Sequence, residues 1–285
     1  FSFAKVPYGT WIIREIESPK GYVLSEEEIA VTIGKVDEVV EIELVNYFIK
    51  GNIALTKVDE DYPDNKLSGA VFEVYSDTNG DGKLDKDDTL LGEMKELDGG
   101  VYQMSELRYG KYLVKETKAP TGFVLDENVY SVSVEENGKT YTVENKAGVG
   151  FINAAQKGSL KIVKTSSDGK VEGFSFRVTG VDYDQTFKTD KNGEIVIEGL
   201  RIGDYTVSEV NDKASAGYIL PADKQATVKV DATAIVQMHN EFRDTPKTGD
   251  DFNLGLWVSL AALSVVGAGV LGFVGYKNRK KKKED

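Results

Sequence analysis

Residues 109 to 125 read YGKYLVKETKAPTGFVL, and this stretch recurs with variations at two other places in the chain. The other copies are YGTWIIREIESPKGYVL from Tyr8 and IGDYTVSEVNDKASAGYIL from Ile202, the latter with a short insertion. Each copy opens with Val, Ile, Tyr or Trp residues alternating with other residues, the period-2 pattern of a half-buried β-strand. A unit that recurs in this way predicts tandem copies of one β-domain.

Two further segments on either side of this stretch also repeat. GNIALTKVDED from Gly51 aligns with GSLKIVKTSSD from Gly158, and KLSGAVFEVYS from Lys66 aligns with KVEGFSFRVTG from Lys170. The strand-like runs are separated by Asn-Gly and similar turn signals, and copies of about 100 residues are typical of β-sandwiches. We therefore predict an all-β chain of tandem antiparallel sandwiches of immunoglobulin or prealbumin type, followed by one C-terminal transmembrane helix.

The repeats and the C-terminal segments predict six parts of the chain. They are the C-terminal half of a truncated sandwich (1–50), a complete sandwich (51–156), a second complete sandwich (157–243), a sorting signal (244–251), a transmembrane helix (252–276) and a basic cytoplasmic tail (277–285).

Composition limits the classes of function. The 285 residues include 35 Lys and Arg against 47 Asp and Glu, a net charge of −12. Such an acidic chain is not expected to bind nucleic acid, which attracts basic surfaces. Cysteine is absent and there is one histidine, so disulfides, thiolate chemistry and most hydrolytic triads are excluded. We therefore do not expect an enzyme.

The apolar segment 252–276 carries no charged residue and is long enough to cross a bilayer as a helix. Directly after it, KNRKKKK is a cationic block that favours the cytoplasmic side, so everything before Phe252 is expected to face outward. The alternative is a buried core helix with a solvated basic tail.

Polar residues occupy inward positions of several predicted strands. Residues i, i+2 and i+4 of a strand share a face, so Ile53 and Leu55 set an inward phase whose next member is Lys57. The same reasoning gives one inward Lys, Glu and Asn in each complete copy, and an inward Glu and Asn in the first, whose lysine is expected upstream of Phe1. The residues are Lys57, Glu116 and Asn153 in the second copy, Lys164, Glu209 and Asn240 in the third, and Glu15 and Asn46 in the first.

Two interpretations fit these inward groups. A lone buried charge costs several kcal/mol, so each set should come together, and the simpler outcome is a buried salt bridge with an amide hydrogen bond. The second is covalent. Burial favours a neutral lysine amine and a protonated glutamate, whose hydrogen bond to the asparagine carbonyl would help the amine attack and ammonia leave. The product would be an isopeptide crosslink between the first and last strands.

The run YLVKETKAPTGF from Tyr112 resembles the glutamate box of the B-type repeats of collagen adhesins and the SpaA-type pilin domains of Gram-positive surface proteins. The resemblance covers residues 1 to about 243. It implies autocatalytic bonds from Lys57 to Asn153 with Glu116 as catalyst, and from Lys164 to Asn240 with Glu209, and assigns the corresponding roles to Glu15 and Asn46. The third copy departs from the box after its glutamate, reading Val210-Asn211-Asp212-Lys213.

Ahead of the apolar segment, the chain resembles a Gram-positive sorting signal. Pro246, Lys247, Thr248 and Gly249 match the Leu-Pro-x-Thr-Gly motif, with Thr245 in place of leucine. The resemblance implies that a sortase cuts between Thr248 and Gly249 and joins the chain to an amine of the cell-wall peptidoglycan or of a pilin. The alternative is a single-pass membrane protein.

The loop DTNGDGKLDKDD follows the spacing of an EF-hand loop and predicts a weak Ca²⁺ site on a β-hairpin. The alternative is an acidic solvated turn. The predicted ligands are Asp77, Asn79, Asp81, the Lys83 carbonyl, Asp85 and Asp88.

Together these features predict a non-enzymatic stalk of a surface protein, covalently anchored to the Gram-positive cell wall. The alternatives are an anchored pilin subunit, or a stalk that carries an upstream enzymatic or ligand-binding domain. A host or matrix ligand would then bind upstream of this stretch.

Overall fold

The computed structural model describes residues 1–243, where all regular elements are β-strands. The predicted sorting signal (244–251), transmembrane helix (252–276) and basic tail (277–285) lie outside the described residues. Between residues 1 and 243, no helix has the length and apolar character needed to cross a membrane.

The first repeat forms a two-stranded antiparallel sheet of β1 (Gly9–Arg14) and β2 (Glu28–Ile33). A further strand leading to Asn46 was also predicted. The structure instead has an isolated bridge between Tyr22 and Phe48 in this region, so that prediction is wrong for residues 42–46.

The second repeat is a sandwich of two sheets. One sheet has the strand order β10-β3-β7-β6 with β11 also paired to β3, and the other has the order β5-β4-β8-β9. The strands are β3 (Lys50–Asp59), β4 (Val71–Ser76), β5 (Thr89–Glu93), β6 (Lys95–Glu96), β7 (Val101–Arg108), β8 (Gly110–Lys118), β9 (Val129–Val134), β10 (Thr140–Thr142) and β11 (Phe151–Asn153).

The third repeat is a sandwich of the same kind. Its sheets have the orders β15-β12-β19-β17 and β14-β13-β16-β18. The strands are β12 (Lys157–Ser166), β13 (Ser175–Gly180), β14 (Tyr183–Lys188), β15 (Glu194–Arg201), β16 (Gly203–Glu209), β17 (Tyr218–Ile219), β18 (Lys224–Val228) and β19 (Thr233–Phe242).

Each complete sandwich has its own apolar core between its two sheets. In the second, the Phe72 ring packs edge-to-face on Tyr102 and Phe151, with ring centres 5.1 and 4.9 Å apart. In the third, Phe176 and Val207 are buried. Burial of the alternate residues of each strand provides the main stabilisation, as the period-2 pattern predicted. The all-β sandwich prediction is confirmed.

The prediction of purely antiparallel sheets is wrong for part of the pairing of the first strand in each sandwich. The first strand β3 pairs in parallel with β10 and β11, and β12 pairs in parallel with β19. An alternating apolar pattern does not depend on strand direction, so the sequence pattern could not distinguish the two arrangements. Because parallel neighbours start at the same end, the chain enters each sandwich at one end and leaves at the other.

Candidate functional site

The parallel pairing of first and last strands brings an inward lysine next to an inward asparagine. In the second domain Lys57 of β3 lies opposite Phe151 of β11, and Asn153 follows two residues later on the same face. The lysine and the asparagine are therefore offset by two residues along neighbouring strands.

The third domain repeats this register. Lys164 of β12 lies opposite Met238 of β19, and Asn240 follows two residues later. The same offset in two domains of different sequence shows that the strand pairing itself places the two side chains together.

The glutamate of each domain comes from the opposite sheet. Glu116 on β8 lies opposite Phe72 of β4, and Glu209 on β16 lies opposite Phe176 of β13. Each carboxylate therefore faces the lysine and asparagine across the core.

In the second domain, one carboxylate contacts both nitrogen-bearing side chains. Lys57 Nζ lies 3.9 Å from Glu116 Oε1 and donates a hydrogen bond to the Phe151 carbonyl at 3.1 Å. The Asn153 amide nitrogen donates to Glu116 Oε2 at 2.8 Å. Lys57 and Glu116 are 0% exposed and Asn153 is 3% exposed, so the group is shielded from water.

Burial shifts both titrating groups towards their neutral forms. Desolvation lowers the pKa of Lys57 to about 8, although the nearby Glu116 charge opposes this shift. Desolvation likewise raises the pKa of Glu116, against hydrogen bonds from the Asp126 backbone and Asn153. Burial therefore favours the neutral amine of Lys57 and the protonated carboxyl group of Glu116 more than water would.

In the third domain, the lysine contacts its surroundings differently. Lys164 Nζ donates to the Thr165 carbonyl at 2.6 Å and lies 4.2 Å from the centre of the Phe174 ring. Asn240 donates to Glu209 Oε1 at 2.7 Å. Burial lowers the pKa of Lys164 and raises that of Glu209.

The two clusters share a set of unpaired polar atoms. Across residues 1–243, the buried side-chain polar atoms without a hydrogen-bond partner are Glu116 Oε1, Asn153 Oδ1, Glu209 Oε2 and Asn240 Oδ1. An unpaired buried acceptor costs about 1–3 kcal/mol, and a catalytic role is one of the reasons for which a structure keeps such a group. Both clusters therefore retain polar groups at a cost in folding free energy.

The contact between Glu and Asn differs from the one expected from sequence. The expected hydrogen bond ran from a protonated glutamate to the asparagine carbonyl. In both domains the glutamate instead accepts from the asparagine amide nitrogen. This nitrogen would have to leave as ammonia, so the carboxyl group lies where a proton must be delivered.

The first repeat holds the same pair of polar side chains without a lysine. Asn46 donates to Glu15 Oε2 at 2.6 Å and to the Val23 carbonyl at 3.1 Å. Both side chains are half-buried. No ion pair joins Glu15 to a lysine in the part of the chain that the structure describes.

The acidic loop is organised by hydrogen bonds to its own backbone. Asp77 accepts from the Gly80 and Gly82 N–H groups at 2.7 and 3.1 Å, and Asp88 accepts from the Asp85 N–H at 2.9 Å. The remaining predicted ligands also take part in hydrogen bonds within the loop, and they are Asn79, Asp81 and Lys83.

Among residues 1–243, no group of three or more His, Asp or Glu side chains is arranged to hold a metal ion. Ca²⁺ binding by the acidic loop stays a prediction. Calorimetric titration with millimolar Ca²⁺ tests it, and the Asp77→Asn variant serves as the control, because Asp77 occupies the first ligand position.

Two contributions to these sites were not predicted from sequence. One is the ring beside each lysine, which comes from Phe151 in the second domain and Phe174 in the third. The other is the backbone N–H of Asp126, which donates to Glu116 Oε2 at 2.8 Å. The repeats align Asp126 with Ser25. This alignment is the sequence feature from which a shared backbone donor at this position could have been predicted.

The chain matches the family of SpaA prealbumin-like fold domains over residues 1–47, 51–147 and 158–242. These stretches cover most of its length, so the chain belongs to this family. The resemblance noted in the glutamate box is thereby confirmed at the level of the domain family.

The chain is similar to several solved structures. The Bacillus anthracis TIE protein is similar with a TM-score of 0.63 and 26% identity, over 84% of this chain. This chain spans 42% of the length of that structure. The minor pilin of Streptococcus agalactiae (17% identity, TM-score 0.31, 71% of this chain and 100% of that chain) is also similar.

The shaft pilin SpaA of Lactobacillus rhamnosus is a further similar structure (14% identity, TM-score 0.31, 69% of this chain and 99% of that chain). No curated protein matches the chain.

Proposed function

We propose that the chain is the structural stalk of a Gram-positive surface protein or pilus subunit whose complete domains crosslink themselves. Each bond joins a lysine to an asparagine, with a glutamate as the catalytic residue. The sets are Lys57, Asn153 and Glu116 in the second domain, and Lys164, Asn240 and Glu209 in the third.

One observation carries this proposal. Two domains of different sequence keep an inward lysine, glutamate and asparagine in the same register, with buried unpaired atoms on the same two residue types. A simple buried ion pair does not require an asparagine whose carbonyl oxygen is left unpaired. The third domain also buries its lysine without an ion pair to Glu209 within 4 Å, among the described residues.

The reaction balances without a co-reactant. The neutral lysine Nζ attacks the asparagine Cγ, a new C–N bond forms, and the bond from Cγ to Nδ2 breaks. One proton passes from the lysine nitrogen to the departing nitrogen, which leaves as ammonia. In the second domain Glu116 contacts both nitrogens, so its carboxyl group can carry this proton.

The crosslink would connect the two ends of each sandwich. In the second domain it closes a loop of about 100 residues, for which a disulfide stabilises a fold by about 4 to 5 kcal/mol in the loop-entropy treatment. It also joins the first and last strands directly, so a pulling force along the chain bypasses the hydrogen-bonded core. These properties suit a stalk in a chain without cysteine.

The proposed location is the cell surface. The order of a sorting motif at Thr245 to Gly249, an apolar segment and a basic tail supports covalent attachment by a sortase to a peptidoglycan or pilin amine. A sortase assay tests this part separately, because the Thr248→Ala variant should remain uncleaved while its domains still crosslink.

The crosslinks are tested by the intact mass of the denatured 285-residue chain. We expect a mass lower than that of the sequence by two ammonia molecules. Glu116→Gln and Glu209→Gln should each restore one ammonia, because glutamine keeps the shape of the side chain but cannot carry the proton.

The matched control is Glu73→Gln, which changes a half-buried glutamate of β4 in the same domain, at a position that alternates with the buried Phe72 and Val74. It should leave both losses of ammonia unchanged. A wild-type mass equal to that of the sequence would show that the two clusters are buried polar networks and would overturn the proposed chemistry.

A further inference from the structure

A short segment after each glutamate lies beside the end of its repeat in an equivalent register. The segments read GYVLS, GFVLD and GYILP at residues 21–25, 122–126 and 217–221. The aromatic residue of each segment pairs with an equivalent position near the end of its repeat, in the pairs Tyr22 with Phe48, Phe123 with Ala155 and Tyr218 with Phe242.

The last residue of this segment donates its backbone N–H to the glutamate in two repeats. The Ser25 N–H donates to Glu15 Oε2 at 2.8 Å, and the Asp126 N–H donates to Glu116 Oε2 at 2.8 Å. The same carboxylate oxygen also accepts from the asparagine of the repeat. The donor is a backbone group, which explains why serine and aspartate are interchangeable at this position.

The third repeat has proline at this position. Pro221 has no N–H and cannot donate. Glu209 Oε1 accepts from Asn240 at 2.7 Å, while Glu209 Oε2 is buried without a partner. Glu209 therefore has one donor fewer than Glu116.

A backbone N–H stabilises a carboxylate more strongly than a protonated carboxyl group, because a hydrogen bond to a charged acceptor is the stronger one. The same kinds of charged group act on the two glutamates, Lys57 and Asp126 at Glu116, and Lys164 and Asp212 at Glu209. The lysine lies within 4 Å of the glutamate only in the second domain, at 3.9 Å. Burial raises the pKa of both glutamates, but the Asp126 N–H opposes this rise at Glu116 only.

The state that can react holds a neutral lysine and a protonated glutamate. We propose that the residue at the end of this segment is a positioning residue that sets the rate of crosslinking, and that Pro221 makes the third domain crosslink faster than the second. This inference rests on the proposed function.

The first experiment restores the missing donor. The whole chain is made by cell-free synthesis in detergent, with a short labelling pulse, and samples are denatured at intervals. Crosslinked peptides of each domain are then quantified by mass spectrometry. We expect Pro221→Ala to slow crosslinking of the third domain about tenfold, the factor that one pKa unit represents. The second domain of the same molecule serves as the internal control.

The second experiment removes the backbone donor of the second domain and compares two variants of Asp126. Asp126→Pro removes both the N–H and the carboxylate, and Asp126→Ala removes the carboxylate alone. The carboxylate also accepts hydrogen bonds from Tyr130 and Asn145, so Asp126→Ala accounts for that loss. We expect Asp126→Pro to crosslink several-fold faster than Asp126→Ala.

A second readout does not depend on the reaction. In the Lys164→Met background, where no third-domain bond can form, the Glu209 carboxyl carbon is titrated by NMR with labelled glutamate. Pro221→Ala should lower the pKa of Glu209 by about one unit. A merely structural proline would leave this pKa unchanged.

Three results overturn the inference. They are an unchanged or faster third-domain rate in Pro221→Ala, equal rates in the two Asp126 variants, and an unchanged Glu209 pKa. Failure of the proposed function is distinct, because no ammonia would then be lost from either domain of the wild-type chain.

Discussion

The guanidinium of Arg201, at the end of β15 in the third domain, forms a bidentate ion pair with Asp59, at the end of β3 in the second domain. The N–O distances are 2.6 and 2.8 Å. Asp59 is 2% exposed, and Arg201 also reaches Asp61 at 3.0 Å and lies over the Tyr62 ring. A planar guanidinium matched to a carboxylate fixes orientation as well as distance, so this pair holds the two domains in one arrangement.

The interdomain pair and the proposed crosslink share the end of one strand. Asp59 lies two residues after Lys57 on β3, directly opposite Asn153 of β11. A force that enters through Arg201 therefore reaches β3 next to the proposed bond. The ion pair between the domains and the proposed crosslink would together give one continuous connection for force.

Removing the Asp59 carboxylate should weaken the contact between the second and third domains. Asp59→Asn leaves the Arg201 guanidinium with only Asp61 as an anionic partner, and breaking a buried pair costs about 3 kcal/mol or more. We expect a loss of about 2 to 3 kcal/mol in the free energy of unfolding by denaturant. The control is Glu194→Gln, which breaks the more exposed pair with Lys161 and should cost less than about 1 kcal/mol. Equal losses in the two variants would contradict the interdomain role.

The contribution of Asp59 should disappear in acid. Burial alone would raise the pKa of Asp59, but hydrogen bonds from Arg201 and the Asp61 and Tyr62 backbones hold it below its ordinary value of 3.8. A lowered pKa in the folded state means that the stabilisation is complete above the unfolded pKa and is lost as pH falls through the folded pKa. The difference in stability between wild type and Asp59→Asn should therefore be constant near neutral pH and shrink below 3.8. A difference that persists in strong acid would contradict this account.

Without its crosslink, the second domain should gain stability in alkali. In Asn153→Ala, Lys57 remains a free amine whose pKa burial lowers to about 8 from 10.5. Between these values the unfolded chain binds more protons than the folded one, so stability rises with pH by up to about 1.4 kcal/mol per unit. Denaturant titrations across this range measure the slope.

Two controls isolate the amine of Lys57. The double variant Lys57→Met/Asn153→Ala has no titrating amine at this position and should lack the slope. Wild type should lack it too, because the proposed bond converts the amine into an amide that does not titrate. A slope of the same size in wild type would mean that Lys57 is free.

The position of the polar residues within each strand was accessible from sequence because side chains alternate strictly along a strand. Counting from Ile53 and Leu55 placed Lys57 inward, and the structure has it fully buried. The pairing partner of that strand was not accessible, because parallel and antiparallel neighbours produce the same alternation. The register that sets Asn153 beside Lys57 is therefore information from the fold.

The interdomain ion pair between Asp59 and Arg201 could not be predicted from the sequence for a different reason. Asp59 and Arg201 are charged residues distant in sequence, and charged residues at strand ends are typical of solvated surface. Their burial depends on how one sandwich ends against the next. The aligned repeats place an arginine at the same position, Arg108 and Arg201, but Arg108 lies over the Phe48 ring of the preceding repeat, so the alignment did not identify Asp59 as a partner.

The aromatic ring nearest to each buried lysine comes from a different part of the sandwich in the two domains. Lys57 Nζ is 5.2 Å from the centre of the Phe151 ring on the last strand of its domain. Lys164 Nζ is 4.2 Å from the centre of the Phe174 ring, which precedes β13. A ring face attracts a cation and also shields it from water, so one ring in either position can serve the same purpose.

In the aligned repeats, the different position of the ring corresponds to two substitutions. Met238 stands where the second domain has Phe151, and Phe174 stands where it has Ala70. Each domain thus combines one ring with one smaller or more flexible residue. Because total core volume is what close packing constrains, a change at one position should be compensated at the other.

A double-mutant cycle in the third domain tests this compensation. Phe174→Ala should destabilise the domain by about 3 to 5 kcal/mol, because it removes a fully buried ring and leaves a cavity beside Lys164. Met238→Phe alone should cost about 1 to 3 kcal/mol, since it adds volume to a packed core. The double variant recreates the second-domain arrangement and should be more stable than Phe174→Ala, giving a coupling energy of at least about 1 kcal/mol in denaturant unfolding. Additive losses would show that the two positions are independent and that the ring beside Lys164 cannot be supplied from the last strand.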